Sequence, residues 1–147
     1  MRLGRRLGVD VGAVRIGVSQ SDPEGLIATP VMTLPADRNT LKELSLLVDQ
    51  TEAIEIVIGL PTSMSGKEGE AAEKARDFAL KLKAHLPTPI RLVDERLSTV
   101  VATHAMRASG VNAKKGRVSI DQAAAVVILQ SALDAERMTG RAPGEIV

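Results

Sequence analysis

Residues 6–20 read RLGVDVGAVRIGVSQ. Apolar side chains alternate along residues 6–11, and a second extended run follows over residues 15–20, after a short turn at Gly12 and Ala13. Alternation with a period of two is typical of a half-buried β-strand. Two such runs joined by a short turn predict a pair of neighbouring antiparallel strands.

The sequence after this hairpin predicts one more antiparallel strand and then an alternation of helices and strands. The next elements are an extended stretch at 26–34, a helix with its apolar face from Leu41 to Val48, a strand at 55–59, a helix at 70–86 and a strand at 90–93. A helix beginning at Ser98 and a buried last helix follow. Ser119 and Gln122 form a capping-box pattern at the start of the last helix. This order indicates an α/β domain with a mixed five-stranded sheet, three antiparallel strands followed by two parallel ones, and helices on both faces.

Length and composition suit a single domain. The chain has 147 residues, of which 44% are hydrophobic, and it has no cysteine. We expect the domain to span residues 1–138 and residues 139–147 to form a tail. The lack of cysteine excludes disulfides, zinc–thiolate sites and a cysteine nucleophile. No apolar run approaches the ~20 residues of a membrane span, so we expect a cytoplasmic protein without membrane contact.

Charge and aromatic content limit how the chain could bind nucleic acid. The net charge is only +1, and Phe78 is the only aromatic residue, so the chain offers no platform on which bases could stack. Residues 102–120 nevertheless contain four basic residues and no acidic one: Arg107, Lys114, Lys115 and Arg117. The basic loop at 111–118, which carries the last three of these residues, is either a solvated segment or a phosphate-binding element beside Asp121.

Asp10 is unusual because it lies inside an apolar strand. A buried carboxylate costs several kcal/mol unless it is paired, so Asp10 is either half of an ion pair, with Arg15 as its partner, or a metal ligand or general base. The neighbouring Gly8 and Gly12 favour the second interpretation, since a strand flanked by glycines leaves room for a ligand.

Two further acidic positions fall where a site is expected. Asp94 and Glu95 follow a parallel strand, and ligands of such sheets gather at the carboxyl ends of those strands. A period of two points these neighbours in opposite directions, and spacing alone does not say which one faces the site. Asp121 lies near the start of the last helix, where an acid also suits the helix dipole. A cluster of carboxylates without His or Cys would suit Mg²⁺ or Mn²⁺.

Four stretches of the chain resemble one known family. They are DVGAVRIG at 10–17, GLPTSMSG at 59–66, DERLST at 94–99 and IDQAAA at 120–125, and the resemblance covers roughly residues 5–137. They look like the motifs of the YqgF/RuvX family, which has the RNase H-like fold. That family is described as pre-16S rRNA nucleases and was earlier described as Holliday-junction resolvases.

The resemblance implies a metal-dependent nuclease. It carries the catalytic and metal-binding acids onto Asp10, Glu95 and Asp121, and so selects Glu95 over Asp94, with Mg²⁺ or Mn²⁺ as the cofactor. It favours an RNA precursor over branched DNA as the substrate. In this interpretation phosphates are held by basic residues, namely Arg15, Arg96, Lys114, Lys115 and Arg117. We expect the loop at 60–69 to lie at the rim of the site.

Three other interpretations stay open. A Holliday-junction resolvase would be a two-fold dimer, because it cuts two strands symmetrically, whereas an RNA nuclease could be a monomer or a homodimer. Residues 10–17 also resemble the phosphate loop of actin-like ATPases, although Ala13 and Val14 stand where those loops carry Thr or Ser. A non-catalytic RNA-binding module would keep the acids for folding.

Overall fold

The first three strands form the antiparallel meander that their alternation predicts. In this computed structural model, which describes residues 1–63, 65–96 and 116–147 (the last range from residue 120 onward with its side chains), β1 is Arg6–Val11, β2 is Arg15–Ser21 and β3 is Ala28–Pro35. Asp10 of β1 is opposite Gly17 of β2. This register decides which part of the molecule covers Asp10.

The parallel part of the sheet follows the predicted order, but the sheet has six strands and not five. The strands β4 (Glu55–Leu60) and β5 (Ile90–Asp94) run parallel to β1, and the full order is β3-β2-β1-β4-β5-β6. The sixth strand, β6 (Glu145–Ile146), pairs antiparallel with β5 inside the segment that the sequence suggests as a tail. A strand of two residues is too short to produce a detectable periodicity.

Helices cover both faces of the sheet, as predicted. The helices α1 (Thr40–Thr51) and α2 (Glu70–His85) pack on one face around a core that includes Leu44, Ile56 and Leu82. The helix α3 (Gly116–Thr139) packs on the other face through Leu129 and Leu133. Among the residues described, no helix is both long and apolar enough to span a membrane.

The start of α3 differs from the prediction. The helix begins at Gly116, three residues before Ser119, and the side-chain amide of Gln122 donates to Oγ1 of Thr33 on β3 at 3.2 Å. The capping-box prediction was therefore wrong, because Ser119 lies inside the helix and is not its N-cap. The helix predicted from Ser98 and most of the basic loop, including Lys114 and Lys115, lie outside the described residues.

Glycines bring α3 unusually close to the sheet. A side chain at Gly8 would lie 2.7 Å from Cβ of Leu129 and 2.8 Å from the carbonyl oxygen of Ala125, and Oγ of Ser19 donates to that same carbonyl at 2.7 Å. Gly8 therefore makes room for a helix and not for a ligand, contrary to the sequence interpretation. Gly12 serves the hairpin, because a side chain there would collide with the carbonyl oxygen of Arg15.

A buried ion-pair network closes the end of the sheet opposite to Asp10. Glu55, at the start of β4, binds Arg2 and Arg91 at 3.1 Å, and Glu136 of α3 binds Arg6 at 2.6 Å. Arg6, Glu55 and Glu136 are buried. The network joins the N-terminal segment to the sheet and to the end of α3.

Candidate active site

Asp10 lies near the carboxyl end of β1, half-buried beneath α3. The strand β2 carries Gly17 opposite Asp10, and a side chain at Gly17 would collide with the carbonyl oxygen of Asp121. The absence of that side chain lets the Asp121 turn of α3 sit directly on the hairpin, close to Asp10. Burial raises the pKa of Asp10 above its ordinary value, and the charge of Asp121 raises it further.

Glu95 faces the same region from the far side of β4. Its backbone amide donates to the carbonyl oxygen of Leu60 at 3.1 Å, which fixes the chain just beyond β5. Its side chain lies over Gly59, where an added Cβ would be 2.7 Å from Oε1. Burial raises the pKa of Glu95, and the charges of Asp10 and Asp94 raise it further.

Asp94 has different partners. Its carboxylate accepts hydrogen bonds from Oγ1 of Thr62 at 2.8 Å and from Nε and Nη2 of Arg96 at 2.9 and 2.6 Å. The bond from Arg96 is the main reason why the pKa of Asp94 falls to about 2. The two neighbours thus differ as a period of two predicts: Glu95 lies toward Asp10, and Asp94 lies toward the loop after β4.

Asp121 is held by Arg15. Oδ2 of Asp121 accepts a hydrogen bond from Nε of Arg15 at 2.8 Å, with side-chain exposures of 23% and 44%. The alternative in which Arg15 pairs with Asp10 is therefore not realised. Asp121 is the sixth residue of α3, beyond the first turn, so the helix-dipole explanation of this acid loses its basis.

The chemical type of these three acids suits a hard divalent cation, but their spacing in the structure does not. Three half-buried carboxylates, two of which have pKa values raised by burial and by neighbouring acids, offer the oxygen ligands that Mg²⁺ and Mn²⁺ bind. In the described part of the chain, however, no three acidic or histidine side chains are already placed to hold one ion. Arg15 binds Oδ2 of Asp121 in the structure.

The structure locates two of the five basic residues that the sequence suggests. Arg15 and Arg96 lie on either side of the acids, one bound to Asp121 and the other to Asp94. Lys114 and Lys115 lie outside the described residues. Arg117 belongs to the first turn of α3 and not to a loop, and its side chain is likewise outside the description.

Sequence reasoning missed the residues that seat and align the acids. Gly17 and Gly59 provide the close approach of α3 and of Glu95, and Thr62 anchors Asp94. A glycine inside a strand often marks the close approach of another element, so Gly17 and Gly59 could have been found from their positions. Nothing in the spacing of Thr62 and Asp94 indicates their contact.

Comparisons with known proteins agree with this architecture. A family model described as "RuvX: Holliday junction resolvase" matches residues 4–135. A Streptomyces avermitilis protein named "Putative pre-16S rRNA nuclease" is 56% identical over 151 residues, which cover 99% of this chain and 95% of that protein. A protein of the same name from Nocardioides sp. is 50% identical, with coverage of 100% and 98%.

Solved structures extend the comparison to the fold. T. thermophilus RuvC in complex with a Holliday junction substrate has a TM-score of 0.68 and 15% identity, and the alignment covers 97% of this chain and 99% of RuvC. A second structure, Thermus thermophilus RuvC, gives a TM-score of 0.66 at 12% identity. At such identities the likeness shows the fold only. Because the family model spans most of the chain and relatives about half identical match along their whole length, this chain belongs to the RuvX/YqgF family of nucleases, with the RNase H-like fold.

Proposed function

We propose that this protein is a metal-dependent nuclease that hydrolyses phosphodiesters of a pre-16S rRNA precursor. The observation that carries the chemistry is the placement of three half-buried acids around the carboxyl end of the sheet: Asp10 near the end of β1, Glu95 just beyond β5 and Asp121 on α3. Burial raises the pKa of Asp10 and of Glu95, and a neighbouring acid raises each further, Asp121 for Asp10 and Asp10 for Glu95. Half-buried carboxylates that repel one another are stabilised when a cation neutralises them. Such a cluster supports a site for a divalent metal ion.

Asp10, Glu95 and Asp121 are the residues that would hold Mg²⁺ or Mn²⁺. When bound, such an ion stabilises the negative charge that develops on the phosphoryl oxygens during hydrolysis. Arg15 binds Oδ2 of Asp121 through Nε, and opening of this ion pair would free that oxygen for the ion. That change also releases the guanidinium of Arg15, which would then contact a phosphate of the substrate.

The remaining phosphate contacts are assigned to basic residues around the acids. Arg96 lies beside Glu95 in sequence and is 44% exposed. Lys114, Lys115 and Arg117 precede Asp121 and would contact phosphates on the other side of the cut. Guanidinium groups suit this role because they can donate two parallel hydrogen bonds to one phosphate.

The relatives' names support an RNA substrate. The proteins from Streptomyces avermitilis and Nocardioides sp. are both named for pre-16S rRNA, and both are aligned over nearly their whole length. We accordingly infer a cytoplasmic enzyme of ribosome biogenesis. The second candidate is a Holliday-junction resolvase, which the description of the family model favours. That activity would require a homodimer.

One experiment separates the two substrates. End-labelled pre-16S rRNA and a labelled four-way DNA junction are each incubated with the purified protein in Mn²⁺, and Asp10→Asn protein prepared in parallel serves as the control for contaminating nucleases. We expect cleavage of the RNA and no symmetric cleavage of the junction. Paired, symmetric nicks in the DNA junction with intact RNA would replace the proposal by the second candidate.

A further inference from the structure

Arg96 is held in one orientation by its neighbour Asp94. Nε and Nη2 of its guanidinium donate to Oδ2 of Asp94 at 2.9 and 2.6 Å, and its backbone amide donates to Oδ1 at 2.9 Å. One carboxylate therefore fixes both the main chain and the side chain of Arg96. An arginine that is 44% exposed would otherwise sample many rotamers.

Asp94 is itself fixed by the loop after β4. Oγ1 of Thr62 donates to Oδ1 of Asp94 at 2.8 Å. The following turn is closed by two backbone hydrogen bonds, from Ser63 to Lys67 at 2.9 Å and from Gly66 to Ser63 at 2.8 Å. The loop thus binds the same carboxylate that holds Arg96.

The third nitrogen of Arg96 faces this turn. Gly66 has a φ of +85°, and a side chain there would lie 3.5 Å from Nη1 of Arg96. Since Nε and Nη2 bind Asp94, that ion pair does not use Nη1, and Nη1 can donate to a phosphate while the pair stays intact.

We propose that Asp94 is a positioning residue, anchored by Thr62, that orients the guanidinium of Arg96 to bind a phosphate of the substrate next to the cut. The inference rests on the proposed function and assigns a role to the acid beside Glu95. Asp94 itself contacts neither metal nor substrate in this account. Asp94 and Arg96 carry opposite charges, so the pair as a whole does not repel the phosphate.

The test measures binding of a fluorescently labelled single-stranded RNA by anisotropy, in EDTA so that no cleavage occurs, at several salt concentrations. The variants are Asp94→Asn, Thr62→Val and Arg96→Gln. Glu68→Gln is the matched control, since Glu68 is an acid of the same loop that binds Arg76 and not Arg96. It removes the same charge without releasing Arg96.

We expect Asp94→Asn and Arg96→Gln to weaken RNA binding by about threefold to tenfold and to lower the salt slope by up to about 0.7, the value of one phosphate contact on a single strand. The double variant should bind no more weakly than Arg96→Gln alone. Thr62→Val should act in the same direction by a smaller factor. Loss of a negative charge alone would tighten binding, as Glu68→Gln should show.

Three results would overturn the inference. One is Asp94→Asn protein that binds RNA as tightly as the Glu68→Gln control. Another is strict additivity of the Asp94 and Arg96 substitutions, which would mean that the two residues act independently. The third is loss of Mn²⁺ binding in Asp94→Asn, measured by electron paramagnetic resonance, which would make Asp94 a ligand.

A different result would show that the proposed function itself is wrong. Wild-type protein would then cleave neither RNA nor branched DNA in Mn²⁺, whatever the RNA affinities of the variants. Thermal melts accompany every measurement, and Thr62→Val keeps the inference testable if Asp94→Asn does not fold, because it preserves every charge.

Discussion

At the scale of single residues, the role of each carboxylate depends on what lies beside it. Asp94 and Glu95 are neighbours in sequence, yet Arg96 lowers the pKa of one and burial raises that of the other. The sequence could predict that the two point apart. It could not predict that Arg15 binds Asp121, because the two residues are 106 positions apart and meet only when α3 packs on the sheet.

The raised pKa of Asp10 makes a prediction about stability. A carboxyl group whose pKa is raised by folding stabilises the fold below its unfolded pKa, near 4, and this contribution is lost as pH rises through the folded pKa. Asp10→Asn should therefore raise the melting temperature at neutral pH, with a difference that shrinks toward about pH 4. Melting curves of both proteins across this range provide the check. A variant less stable than wild type at neutral pH would contradict the repulsion described here.

The two neighbouring acids should differ in cleavage kinetics. We expect Glu95→Gln to lower kcat by at least about 100-fold, because it removes a group at the reacting centre. Asp94→Asn should mainly raise KM, because it loosens a phosphate contact. Steady-state kinetics on the labelled RNA separate the two effects. Equal losses of kcat in both variants would mean that the choice between these neighbours is wrong.

At the scale of elements, the site depends on how closely α3 approaches the sheet. The sequence predicted the existence and the burial of this helix but not its start at Gly116. The close packing of α3 on the sheet depends on Gly8 and Gly17, and the need for glycine at these positions is apparent only once the helix is in place. For the same reason, the sequence suggests that Gly8 leaves room for a ligand, whereas in the structure it leaves room for Ala125 and Leu129.

Substitution of Gly17 tests this seating. A methyl group at Gly17 would collide with the carbonyl oxygen of Asp121, so Gly17→Ala should destabilise the protein by about 1–3 kcal/mol and displace Asp121 from Asp10. Urea unfolding and the cleavage rate measure the two effects. Gly69→Ala is the control, because a side chain there meets nothing within 4 Å. Wild-type cleavage by Gly17→Ala would show that the position of Asp121 is unimportant.

At the scale of the whole molecule, the sequence predicted the succession of β1 to β5 along the chain, the mixed sheet and the helices on both faces, because those elements show a period or a clear apolar run. It missed β6, whose two residues pair with β5, and it missed the ion-pair network at the other end of the sheet. Such networks join residues far apart in sequence, here Arg6 and Glu136, and leave no local pattern.

This network should matter for stability and not for catalysis. Glu136→Gln leaves the guanidinium of Arg6, which is 1% exposed, without its charged partner, and should cost about 3 kcal/mol or more. Asp134→Asn, which breaks an exposed pair with Arg137, should cost less than about 1 kcal/mol. Urea unfolding compares the two. Equal stabilities would contradict a structural role for the buried pair, and kcat should stay unchanged in both variants.

In the proposed function, the acids at the carboxyl end of the sheet cleave nucleic acid with a divalent metal ion. The decisive measurement is the cleavage rate of labelled pre-16S rRNA for wild-type and Asp10→Asn protein, each in Mn²⁺, in Ca²⁺ and in excess EDTA. We expect cleavage by wild type in Mn²⁺ only, because Ca²⁺ binds oxygen ligands at longer distances and with looser geometry. Asp10→Asn should be inactive throughout. Wild-type cleavage in EDTA, or an unchanged rate for pure Asp10→Asn protein, would contradict the proposed function.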